Sequence, residues 1–143
     1  MSTTELTENQ IQLIEESFAA VAPKGGALVA SFYERLFRDY PEVKPMFANV
    51  EQHEQQKKLL GSLVLVVNNL RKPEALGPAL KQLGGRHQEI GAQPAHYEAV
   101  GSVLLKTLAK FAGDIWGSEL EEAWTTAYVA ISTKMQESTQ VPV

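Results

Sequence analysis

His87 lies on the apolar side of a helical stretch, Leu80 to Ile90, in a chain that contains no cysteine. An imidazole in apolar surroundings has two uses. The commoner one is as a neutral core side chain with a hydrogen-bonded ring; the other is to lend a nitrogen lone pair to a metal. In a greasy cleft, the metal that suits a single imidazole is the iron of a macrocycle. Other residues could share such a site. Phe47 follows the proline-rich bend Tyr40-Pro41-Glu42-Val43-Lys44-Pro45-Met46, either as an aromatic capping a corner or as a ring laid against a flat group. Tyr33 falls on the inward stripe of its helix, and a buried tyrosine needs a partner for its hydroxyl. Gln55 precedes Leu59 by four residues, so the two share a helix face. A glutamine there is usually a solvent-facing residue near a helix start, but it can also donate into a pocket. Gly84-Gly85 lie just before His87 and cost a helix roughly 1 kcal/mol each relative to alanine. They point to a loosened, closely packed or irregular stretch.

The elements that must position these residues read as helical nearly throughout, with no sustained period-two alternation. Thr7-Glu8-Asn9-Gln10 is a capping-box pattern opening a first helix, whose apolar face is Ile11, Ile14, Phe18 and Val21. Pro23-Lys24-Gly25-Gly26 ends it. A second helix carries Leu28, Val29, Phe32, Tyr33, Leu36 and Phe37. Pro41 opens a short third one over 41–47, and residues 48–52 form a polar loop. A long helix from about 52 to 72 presents Leu59, Leu60, Leu63, Val64, Val66, Val67 and Leu70, and Pro73 stops it. A short segment near Glu74–Gly77 leads to the helix bearing His87, which Gly91 ends. Pro94 opens a helix with Tyr97, Val100, Val103, Leu104, Leu108 and Phe111, and Gly113-Asp114 breaks it. Ser118-Glu119-Leu120-Glu121 is a second capping-box pattern, before a last helix with Leu120, Trp124, Tyr128, Ile131 and Met135. Residues 1–6 and 138–143 are expected to be frayed tails of one domain spanning 1–143.

Bulk properties narrow the function. The 143 residues are 44% hydrophobic and 21% charged, with a formal net charge of −4. One domain of this size can bury a sizeable prosthetic group. Without a concentrated basic face, nucleic acid is not expected as a partner. Without cysteine, disulfides, thiolate zinc sites, iron–sulfur clusters and thiolate catalysis are excluded. The polar, acidic start is no signal peptide, and the longest uncharged apolar stretch, Leu59 to Leu70, is far short of a bilayer span. A cytoplasmic protein with no membrane insertion, monomeric or weakly homo-oligomeric, is expected.

In order and spacing, these residues resemble a globin over essentially the whole chain. The resemblance rests on Tyr33, the Pro41…Phe47 corner, Gln55 with Leu59, and Leu83-Gly84-Gly85-Arg86-His87. It also rests on Gly91…Tyr97-Glu98-Ala99-Val100-Gly101 and on Glu122-Ala123-Trp124-Thr125-Thr126-Ala127-Tyr128. The sequence is most similar to bacterial single-domain globins, flavohaemoglobin globin domains and neuroglobin-like proteins. The resemblance implies an all-α globin fold of seven to eight helices around a haem pocket, with haem b as cofactor. His87 becomes the proximal ligand of the haem iron and Phe47 the ring wedged against the porphyrin. Tyr33, Gln55 and Leu59 become the distal wall, where O2 binds, and Leu83, Tyr97 and Val100 line the proximal side. Lys58 points outward toward a haem propionate. The sequence departs from the vertebrate pattern at Gln55, where a distal histidine is usual. Placing His53 there instead would turn Lys57 toward the haem.

By this resemblance, the expected activity is reversible, tight binding of O2, and of CO and NO, at a five-coordinate iron. The Tyr33 hydroxyl and Gln55 amide are donors that each stabilise a charged ligand by roughly 1–3 kcal/mol in a dry pocket. Oxygen transport and nitric oxide detoxification are the roles this suggests. Nitric oxide dioxygenation is the enzymatic alternative. A separate reductase is expected to supply its electrons, since flavohaemoglobins carry a fused one and this sequence stops at residue 143. Gas sensing is a third reading, lowered because no output domain is expected within 1–143, and a haem-free interaction module is argued against by His87 with Phe47. The ferric sixth ligand is expected to be water, Tyr33 or Lys58. The second ring nitrogen of His87 is expected to bond a backbone carbonyl, that of Leu83. Aligned on Tyr128, the last helix puts Thr139 where flavohaemoglobins carry a glutamate coupled to the proximal histidine; Glu137 is two residues off. Weak peroxidase activity is therefore expected.

Overall fold

The computed structural model describes residues 6–89 and 93–137. Thr7 starts the first helix, α1 (Glu8–Val21), by the expected reciprocal cap. Its hydroxyl accepts from Gln10 N at 3.1 Å, and the Gln10 side chain accepts from Thr7 N at 3.0 Å. Two of the donors orphaned at a helix start are thus satisfied. A single 3-10 turn, Ala22–Lys24, leads into α2 (Gly25–Asp39). Pro41 then begins a 3-10 helix, Pro41–Phe47, which buries Val43. The helices α3 (Gln52–Asn68), α4 (Pro73–Glu89), α5 (Pro94–Ala112) and α6 (Ser118–Glu137) follow, with a 3-10 turn at Gly113–Ile115. The fold is all-α among the described residues, with six α-helices and three 3-10 segments. None of these helices is long and apolar enough to cross a membrane.

Four details differ from the sequence reading. The helix expected to reach residue 72 ends at Asn68, because the Asn69 side chain turns back to donate to Leu65 O at 2.7 Å. Pro73 does not merely stop that helix. It opens α4, where its missing N–H would have had no partner anyway, so the expected short segment at 74–77 is the first turn of the His87 helix. Pro78 is tolerated inside α4 because it and Glu74, whose carbonyl it leaves unbonded, are both exposed to water. Ser118 is the first helical residue rather than a cap. Glu121 N bonds Gly117 O at 2.9 Å, and the Glu121 carboxylate accepts from Trp116 Nε1 at 3.3 Å. Gly85 lies inside α4, and a Cβ there would meet nothing, so close packing does not explain it. Gly91 lies outside the described residues.

The main apolar core joins α1, α2, α3, α5 and α6. It includes Ile14, Phe18, Leu28, Phe32, Tyr33, Leu36, Leu63, Val103, Leu108 and Trp124. Leu6, at the edge of the expected tail, packs against it. At its centre, Trp124 Nε1 donates to Ser17 Oγ at 3.0 Å, and Ser17 Oγ donates onward to Ile14 O at 3.1 Å. The small hydroxyl lets a large indole be buried without an orphaned donor. On the surface, Arg71 bonds Glu15 at 2.9 Å and also reaches Glu8, which ties the turn after α3 to α1. Arg71 holds the Glu15 carboxyl below its usual range. This pair is exposed and contributes little.

Ser17→Ala is expected to cost about 1–3 kcal/mol, because the Trp124 N–H then has no acceptor in the core. The check is urea unfolding, with a lower midpoint at an unchanged slope.

Candidate functional site

α4 presents His87 near its C-terminal end, where it is half-buried. Its Nδ1 lies 2.7 Å from Leu83 O, one turn back, as expected from the sequence. A carbonyl oxygen only accepts, so Nδ1 carries the proton and the ring is held as the Nδ1–H tautomer. The Nε2 lone pair is left for a metal. On one side of the imidazole stands the Tyr97 ring, with centroids 6.0 Å apart and planes at 32°. Tyr97 is buried in a small second core with Leu80 and Met135, and Leu83, Leu76, Val66 and Ile131 pack against it.

α2 buries Leu28, Val29, Phe32, Tyr33 and Leu36, a helical stripe that carries Tyr33 into the main core. The Tyr33 ring stands edge-on to Phe32 at 5.0 Å and to Phe47 at 5.6 Å. Phe37 completes the group, 5.5 Å from Phe47 and 5.8 Å from Tyr33. The sequence reading leaves Phe37 out of the site; its spacing of four from Tyr33 was the signal. Gln55 Nε2 donates to the Tyr33 hydroxyl at 3.0 Å. The phenol oxygen is the acceptor in that bond, which leaves its own O–H to donate elsewhere. Burial pushes the Tyr33 phenol up from its usual value, opposed in part by the Gln55 bond.

Gln55 and Leu59 are half-buried, whereas His53, Lys57 and Lys58 are exposed. The start of α3 is thus turned with Gln55, not His53, toward Tyr33. Phe47, Leu59 and Val100 are half-buried against the main core. The expected sites at Thr139 and the Glu137 side chain lie outside the described residues.

Two features bear on whether a haem fits. The apolar interior is divided: Tyr33, Phe47, Leu59 and Val100 belong to the main core, and Leu83 and Tyr97 to the second, beside His87. α3 packs on α2 and α4 on α6, while α3 and α4 form no comparable packing. Half-buried aromatic and aliphatic side chains, one free imidazole nitrogen and one free phenol proton suit a flat, apolar, iron-bearing group. Among the described residues, no three histidine or acidic side chains converge to hold a bare metal ion. A lone imidazole therefore suits a metal that brings its own equatorial ligands.

Comparison with known proteins gives a consistent family. The globin family profile matches residues 30–135. A flavohemoprotein of Rhodopirellula baltica is 35% identical over 125 residues, covering 86% of this chain and 31% of the relative. One of Rhizobium meliloti is 32% identical over the same shares. The chain thus spans about a third of the length of these curated relatives. Among solved structures, a bacterial globin from Campylobacter jejuni superposes with a TM-score of 0.80 at 30% identity, covering 92% of this chain and 95% of that one. An engineered carbene transferase from Rhodothermus marinus, derived from a candidate nitric oxide dioxygenase, gives 0.83 at 26% identity, covering 94% of each.

The raised Tyr33 ionisation has a measurable consequence. Its folded value lies above its unfolded one, so its contribution to stability is intact below about pH 10 and is lost as pH rises through the folded value. Wild-type protein should lose stability more steeply than Tyr33→Phe between about pH 10 and 11, followed by thermal melts monitored by circular dichroism.

Proposed function

The chain belongs to the globin family, and from that premise we propose that it carries haem b on His87 and reversibly binds O2, with CO and NO as further ligands. Family membership and flavohemoprotein relatives imply haem binding. The observation that carries the reading is the 2.7 Å bond from His87 Nδ1 to Leu83 O, which commits Nε2 to be the free nitrogen. Haem, when bound, supplies an iron that takes a diatomic gas and exchanges electrons.

The chain's own residues do the rest. His87 holds the iron by Nε2, and its backbone acceptor fixes the tautomer and the ring angle. Phe47 presses on the ring system, and Leu83, Tyr97 and Val100 close the proximal side. The Tyr33 hydroxyl donates to the gas ligand, while Gln55 orients the phenol by donating to its oxygen and keeps a second N–H for the ligand. Leu59 limits space and excludes water, which slows loss of the ferrous state. Lys58, exposed, faces the haem edge. Tyr33 and Gln55 favour O2, which gathers negative charge, over CO, which does not.

A second reading, nitric oxide dioxygenation, is supported by the Rhodothermus marinus neighbour and by the flavohemoprotein relatives. Electrons would come from a flavin reductase. For the 143-residue chain, sustained formation of nitrate from NO and O2 should then require added flavin reductase and NADH.

Replacing His87 with Gly should abolish tight haem retention, and added imidazole should restore it; a variant that keeps the wild-type ferrous and CO spectra would exclude His87 as the ligand. Tyr33→Phe should speed O2 release about ten- to a hundredfold in stopped flow, and Gln55→Leu less, with CO release nearly unchanged. Equal effects on O2 and CO would mean a steric role.

A further inference from the structure

His87 and His96 use the same ring atom in opposite ways. His87 Nδ1 donates to Leu83 O. His96 Nδ1, 2.9 Å from Gln93 N, can only accept, because the backbone N–H is the donor. His96 is the third residue of α5, and the Gln93 side chain accepts in turn from its backbone N–H, so the two form a capping box. Capping boxes usually carry glutamate or glutamine at that third position, and these side chains accept near neutral pH. A histidine does the same only while its Nδ1 lone pair is free.

Protonation removes this acceptor. An imidazolium has donors on both nitrogens, so the Gln93 N–H loses its partner. The new charge also faces the positive end of the helix dipole, which repels it. The first turn of α5 holds no acidic residue to offset that charge. The first turns of α1, α3, α4 and α6 hold Glu8, Glu54, Glu74, and Glu119 with Glu121. Among the described residues, no ion pair involves His96. The titratable groups on or against this turn are three. Glu98 is exposed on α5 itself, His87 of α4 stands beside the Tyr97 ring, and Tyr128 of α6 donates to Tyr97 O. The groove between α5 and α6 adds only the uncharged Ser132 and Gln136 near Pro94, Tyr97 and Glu98.

We propose that His96 makes the start of α5 a pH-sensitive cap. Neutral, it closes the capping box; protonated, it opens it, and the turn that carries Tyr97 to the edge of the candidate site loosens. The change falls where an ordinary histidine gains its charge, around pH 6.5. The device belongs to the helix and holds whether or not His87 carries iron.

The test compares the protein as purified with His96→Gln and His96→Ala. Glutamine keeps a capping box that cannot titrate, and alanine has no acceptor at any pH. Amide protection at Gln93, His96 and Tyr97, corrected for intrinsic exchange, is measured by NMR at about pH 7.5 and about pH 5.5, on either side of the histidine range. The His96 tautomer is read from its ring nitrogen shifts. In the wild type, His96 should carry its proton on Nε2 at the higher pH. Protection should fall about fivefold on acidification, the effect of losing one cap. His96→Gln should keep the wild-type protection at both pH values, and His96→Ala should show the lower protection at both. The proposal is overturned if the neutral ring carries its proton on Nδ1. It is also overturned if wild type and His96→Gln lose protection equally, or if His96→Ala matches the wild type at the higher pH. Failure of the iron reading would show in the spectra of His87→Gly and would leave these outcomes unchanged.

Discussion

A backbone carbonyl that can only accept sets the tautomer of the one histidine beside the apolar clusters. Leu83 O, 2.7 Å from His87 Nδ1, fixes which imidazole nitrogen bears the proton and which is free. Because donor and acceptor are one helical turn apart, α4 supplies both, and the tautomer is set as soon as the helix forms. A neutral carbonyl makes the ring a weaker electron donor than a carboxylate partner would.

The same helix bears on how the apolar interior is divided. Among the described residues α4 packs chiefly on α6, and the apolar residues fall into two clusters with half-buried side chains on each side. In a well-packed protein such side chains are covered. A cofactor that unites the two clusters would contribute stability by mass action, because it binds the folded chain and not the unfolded one. Cofactor retention and fold stability are therefore expected to be linked.

Three large polar side chains inside the fold take partners from distant parts of the chain. Trp124 finds Ser17, Tyr33 finds Gln55, and Tyr128 finds the carbonyl of Tyr97. The first bond serves only the core. The Tyr33 bond differs in kind, since the phenol accepts and keeps its proton. A donor that is dry, neutral and held in place is the arrangement that stabilises charge most strongly in a pocket of low dielectric.

Helical periodicity was enough to recover α1, α2, α5 and α6, because each buries one face at steps of three and four. His87, Phe47, Tyr33 and Gln55 could be singled out by residue type and spacing. The Leu83 acceptor was also legible, since a bond one turn back is local. Boundaries around residues 68–78 were not. Proline can stop a helix or open one, and Asn69 capping back to Leu65 is a choice that local pattern leaves open. Long-range orientation lay beyond the sequence altogether. That Gln55 donates to Tyr33, 22 residues away, and that Gly101 is the seat of the Tyr128 ring, depend on how helices meet. Periodicity tells which face of a helix is buried, but only tertiary packing decides which atoms of two such faces come within hydrogen-bonding distance.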